Sequence, residues 1–184
     1  MPNTHREWFK SPKGDKKAQK PFFYLITSKE TTIRDFTVHE VDKKDYVVRL
    51  RRGGRCQTRG SLFKEWASQL QFPDYFGNNW NAFDECINDL SWLRGKKYII
   101  VITNFEKVLV QDAADLPIFL TILKEAVAAW MNPQKNNIQG KWTNEPIPFH
   151  IIFQCEPQNH QGCKKILENA GIEVKLKTIA THID

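Results

Sequence analysis

The chain has 184 residues, 41% hydrophobic and 12% aromatic, and its 27 Lys and Arg against 21 Asp and Glu give a net charge of +6. Six Trp and twelve Phe can offset the entropy of ordering a chain, which argues against general disorder, and the length suits one compact domain with extensions or two very small ones. No stretch approaches the roughly 18 to 20 apolar residues of a membrane helix, and residues 1–20 lack the apolar run of a signal peptide, so a cytoplasmic protein without a membrane partner is expected.

Residues 1–20 hold five Lys and one Arg, with only Trp8 and Phe9 to pack, and read as a basic, disordered tail. Over 21–45, short strands are expected at 22–27 and 36–41, followed by a third at 46–50. Gly53 and Gly54 break the chain. Ser61 then caps a helix carrying Leu62, Phe63, Trp66, Ala67 and Leu70 at helical spacing, and Pro73 ends it. A second helix is expected over 79–93 with Trp80, Phe83, Ile87 and Leu90 turned inward.

The unbroken apolar run 98–103 suits a strand covered on both faces. Asp115 caps a third helix with Pro117 in its first turn and a core face of Phe119, Ile122, Leu123, Ala126, Val127 and Trp130. A loop over 132–145 leads to a buried strand at 149–153, and residues 156–184 add a closing helix (162–169) and strand (171–179). Strands alternating with helices predict an α/β fold with a small, mainly parallel sheet flanked by helices.

Catalytic signatures are lacking. The sequence has no Gly-x-x-x-x-Gly-Lys, Gly-x-Gly-x-x-Gly, His-Glu-x-x-His or Gly-x-Ser-x-Gly, and no enzymatic activity is expected. Cys56, Cys86, Cys155 and Cys163 are far apart and read as free thiols. Cys155, His160 and Cys163 match no common zinc spacing, so neither a metal nor another cofactor is expected. His150, heading an apolar run, reads as a structural histidine.

Charge is uneven along the chain. Residues 1–60 carry 15 basic and 7 acidic side chains, residues 61–130 carry 6 and 9, and residues 131–184 carry 6 and 5. An acidic middle in a basic protein asks for a cationic partner. Within it, 72–92 (FPDYFGNNWNAFDECINDLSW) places Asn81, Glu85 and Asp89 four residues apart on one helix face, opposite the apolar stripe. Just ahead, Tyr75 and Phe76 resemble a recognition edge. Gly77 permits a positive φ at the helix entry, and Asn78 or Asn79 offers an oxygen to the free amides of the first turn.

Tyr75-Phe76-Gly77-Asn78-Asn79-Trp80-Asn81-Ala82-Phe83-Asp84-Glu85-Cys86 resembles the signature of the barstar family of ribonuclease inhibitors. The likeness runs in order through 46–50, 61–70, 99–107, the helix over 118–126 with its Lys124-Glu125-Ala126, and 149–153, covering roughly 46–155. The resemblance implies a barstar-like domain that inserts one helix and its preceding loop into the active site of a basic ribonuclease or nuclease toxin. Tyr75 and Phe76 would then supply aromatic contact, Gly77, Asn78 and Asn79 the backbone shape, and Asn81, Asp84, Glu85 and Glu125 the polar and acidic contacts. Such an inhibitor is expected to be a monomer when free.

Three departures stand out: Asn81 replaces a common aspartate of the family, Glu85 is longer than its usual aspartate, and Asp84 replaces an aromatic residue. No tryptophan falls at Leu90, although Trp92 lies near. These changes leave room for a divergent target, such as a toxin domain with this chain as its immunity protein. The rival expectation is nucleic-acid binding by Arg49, Arg51, Arg52, Arg55 and Arg59 with the lysine-rich tail.

Overall fold

The computed structural model describes residues 22–39, 46–93, 95–131, 137–138, 141–142, 147–177 and 179. The elements follow in the order β1 (Phe23–Thr27), α1 (Glu30–His39), β2 (Tyr46–Arg52), α2 (Arg59–Leu70), α3 (Trp80–Asp89), β3 (Lys97–Thr103), α4 (Leu116–Trp130), β4 (Asn137–Ile138), β5 (Lys141–Trp142), β6 (Phe149–Cys155), α5 (His160–Asn169) and β7 (Val174–Lys177). Five strands build one all-parallel sheet in the order β2-β3-β6-β1-β7, while β4 and β5 pair antiparallel as a small separate ribbon. The expected α/β fold is present. β3 and β6 are buried because both have strand neighbours and both faces of the sheet are covered, as their continuous apolar sequences require.

The faces are covered unequally. On one, α2, α3, α4 and α5 pack an aromatic-rich core that includes Phe63, Trp66, Phe83, Phe119, Trp130, Phe149 and Phe153. On the other, among the described residues, α1 sets Ile33 and Phe36 against Tyr24, Ile26, Ile99, Val101 and Ile152, with Ile179 in the same cluster. Across the C-terminal ends of the strands, the buried Gln154 side chain accepts from the Asn104 amide (2.9 Å) and donates to the Ser28 carbonyl (2.6 Å). Asn104 Nδ2 donates to Glu30 at 2.7 Å, so one hydrogen-bonded chain ties together the ends of β3, β6 and β1 and the start of α1.

Several local expectations change. Residues 36–39 belong to helix α1 rather than a strand, and 40–41 lie outside the described residues. Phe36, Thr37 and Val38 favour a strand locally, but a crossover joins the parallel strands β1 and β2, and burial of Ile33, Phe36 and Thr37 follows helical spacing. Thr58, not Ser61, is the N-cap of α2. Ser61 closes the capping box from the third helical position, and the helix ends at Leu70 through left-handed Gln71 (φ 53) before Pro73 is reached. α3 stops at Asp89, where Leu90 takes φ 43, so it is shorter than expected. Asp115 makes no capping hydrogen bond to α4. The 1–20 tail and most of the 132–145 loop lie outside the described residues.

Gly53 starts a 3-10 turn directly after β2. A β-carbon there would stand 2.2 Å from the Asn104 carbonyl oxygen and 2.6 Å from that of Thr103, so the chain passes where only glycine fits. His150 is buried near the rings of Phe22 (5.7 Å) and Tyr24 (5.9 Å), and burial followed by the charge of Lys97 lowers its pKa to about 4. All four cysteines are free and buried. Among the described residues no group of three His, Cys, Asp or Glu is placed to hold a metal ion.

Candidate partner-binding face

The loop entering α3 is shaped by side chains that bond to nearby backbone. Phe76 N–H donates to the Pro73 carbonyl (2.9 Å), Asn78 Nδ2 to the Phe76 carbonyl (3.3 Å) and Asn79 Nδ2 to the Gly77 carbonyl (3.3 Å). Asn79 is the N-cap, its Oδ1 accepting from Ala82 N–H at 2.9 Å. The left-handed residue is Asn78 (φ 50) rather than Gly77, a conformation Asn adopts more readily than most residues. Gly77 contributes space instead: a β-carbon would meet the Asn79 amide at 2.9 Å.

The two aromatics at the tip diverge. Tyr75 is 75% exposed, whereas Phe76 is 8% exposed and stacks edge-on against Phe72 (5.0 Å) and Phe63 (5.8 Å). Phe76 therefore fixes the loop from below and leaves Tyr75 standing out. Trp80 meets Phe63 at 4.8 Å and donates from Nε1 to Asp115 (3.3 Å), which also receives Arg59 at 3.6 Å. The N-termini of α2, α3 and α4 are thereby joined through one carboxylate, a link invisible in sequence because its members lie tens of residues apart. Trp92 turns inward, its Nε1 donating to the Leu70 carbonyl at 2.8 Å.

Along α3, Asn81, Glu85 and Asp89 are exposed and Asp84 is half-buried. Asn88 Nδ2 donates to the Asp84 carboxylate at 2.9 Å. Asp84's pKa is nonetheless raised, first by burial and then by Glu125 and Glu85, although the Asn88 hydrogen bond opposes the rise. Asp84 on α3 therefore senses the charges of Glu85 on its own helix and Glu125 on α4. Among the described residues none of the three is in a salt bridge with Lys or Arg. Lys124, beside Glu125 in sequence, instead donates to the Ala170 carbonyl at 3.2 Å.

The site thus joins a hydrogen-bonded loop and an exposed tyrosine to a helix face whose Asp84 and Glu85, among the described residues, make no salt bridge with Lys or Arg. The chain belongs to the Barstar (barnase inhibitor) family, whose model matches residues 46–154. No curated protein matches it. Among solved structures, a chain in the structure of Drosophila ORC bound to AT-rich DNA and Cdc6 is similar with a TM-score of 0.44 and 11% identity, covering 86% of this chain and 48% of that one. The present chain thus spans about half the length of that one. Strands β1 and β7 fall outside the matched segment but belong to the same sheet. Among the described residues, no helix is long and apolar enough to cross a membrane.

Proposed function

We propose that the protein is an immunity-type inhibitor that blocks the active site of a basic ribonuclease or nuclease toxin with α3 and the loop before it. What supports this is that Glu125 and Glu85 both act electrostatically on Asp84 and that none of the three is in a salt bridge among the described residues, on a helix whose entry loop is held by Asn78, Asn79 and Phe76. A nuclease presents Arg or Lys to RNA phosphates. Carboxylates held in place imitate those phosphates, and each can take a guanidinium in a two-bonded fork. Tyr75 adds large contact area at little entropic cost, and Asn81 is exposed on α3.

Charge pairs at the barnase–barstar interface itself couple by about 1.5 to 7 kcal/mol, and that scale is borrowed here. The test is inhibition of RNA cleavage by purified basic ribonucleases and nuclease toxin domains, barnase among them. Stoichiometric inhibition of one of them is expected, weakened at least about a hundredfold in the Glu85→Ala/Glu125→Ala variant. Equal inhibition by variant and parent would remove the proposed site. The nucleic-acid alternative has less support, because Arg51 is fully buried against Trp66, Arg49 donates to the Gln69 carbonyl and Arg59 is paired with Asp115.

A further inference from the structure

Arginines not consumed by packing gather at the edge of the sheet. Among the described residues, β2 has only β3 as a strand neighbour. Its Val48, Leu50 and Arg52 line a cavity of about 370 Å³ together with Arg34 and Thr37 from α1 and with Arg55, Glu65 and Gln69. That volume lies within the range of small-molecule sites, roughly 300 to 1,000 Å³. Three arginines and one glutamate line it, and the Glu65 carboxylate is already engaged by Arg55 at 3.9 Å.

Glu65 is also the principal opposite charge acting on Arg51, which is fully buried and whose Nε and Nη2 have no hydrogen-bond partner among the described residues. One carboxylate therefore serves two arginines. Arg34 and Arg52 have no acidic partner among the described residues, and the Gln69 amide adds donors to the same space. A neutral ligand would leave this charge uncompensated, and a single carboxylate would occupy one guanidinium fork. Several phosphate oxygens on one small molecule would engage two or three forks together.

We propose that this cavity binds a small ligand carrying two or more linked phosphate groups, at a site separate from the acidic face of α3. Calorimetric titration with inorganic tripolyphosphate at roughly physiological salt tests it, since diffuse surface attraction is screened there. Saturable one-to-one binding is expected, weakened at least about tenfold in Arg34→Gln/Arg52→Gln and changed by less than about twofold in Lys164→Gln/Lys165→Gln, which removes the same charge elsewhere. Should the double variant lose its cooperative melt, the single Arg34→Gln on the exposed side of α1 must still weaken binding. Absence of saturable binding, equal weakening in the two charge-matched variants, or tighter binding of an oligonucleotide lacking terminal phosphates would each overturn the proposal.

Discussion

The two faces of the sheet carry different burdens. Four helices press an aromatic network onto one face, where Trp66, Phe83 and Phe119 lie within about 6 Å of one another. Among the described residues one short helix, with Ile179, covers the other, where β-branched residues dominate and His150 is enclosed. The thick side fixes α3 from beneath and so holds the acidic face in shape, which would reduce the ordering cost of the proposed binding. The thin side has fewer packed groups and holds a buried titratable ring, so response to conditions belongs there.

The largest expected effect comes from emptying the thick side. Trp66→Ala removes a fully buried indole and the ring under the Arg51 guanidinium, 5.1 Å away, and should cost about 3 to 5 kcal/mol in urea unfolding. Ile33→Ala on the thin side should cost nearer 2 kcal/mol, because a single helix settles more readily into the space left. Equal losses would mean that the two faces are packed to the same degree.

The next effect is pH dependence of the thin side. The folded pKa of His150, about 4, lies below the ordinary value of 6.5, so the unfolded chain takes up the proton first. Stability from this residue is fully present above the ordinary value and is lost as pH falls toward 4. Between pH 7 and pH 5 the loss amounts to about 2 kcal/mol. His150→Phe should flatten that part of the stability profile, and a slope unchanged by the substitution would assign it elsewhere.

Smaller changes concern the acidic face. Raised Asp84 has the opposite sign to His150: its contribution favours the fold at low pH and is lost as pH rises through its folded titration. Asp84→Asn should therefore leave stability at neutral pH unchanged or improved by a few tenths of a kcal/mol while weakening the proposed partner binding, since the half-buried group is still partly screened by solvent. Thermal melts beside inhibition titrations separate the two. Asn81→Asp should raise the association rate with a cationic nuclease by severalfold at low salt, with little change in stability. A slower rate would show that this face does not meet the cationic cleft.

Most elements were legible because burial leaves a period. The runs in β3 and β6 and the stripes of α2, α3 and α4 identify themselves in sequence. Residues 36–39 did not, since α1 buries only a narrow stripe and its β-branched residues favour a strand when read locally. The candidate site was legible as a motif but not as geometry. Nothing in the string separates exposed Tyr75 from packed Phe76, or brings Glu125 to Asp84 across two helices. Likewise Asp115, placed where a helix cap belongs, serves Trp80 and Arg59 instead, a choice made by tertiary neighbours.

The position of β1 between β6 and β7 separates ancestry from folding. The family's share of the chain ends with β6, yet in this molecule β6 is an inner strand whose far side is paired residue by residue, from Phe23 against Ile151 to Thr27 against Cys155. Cutting the chain to 46–154 would turn Ile151, Ile152 and Phe153 into a naked apolar edge, the kind that recruits another copy. The unit recognisable by descent is thus smaller than the unit that pairs both sides of β6.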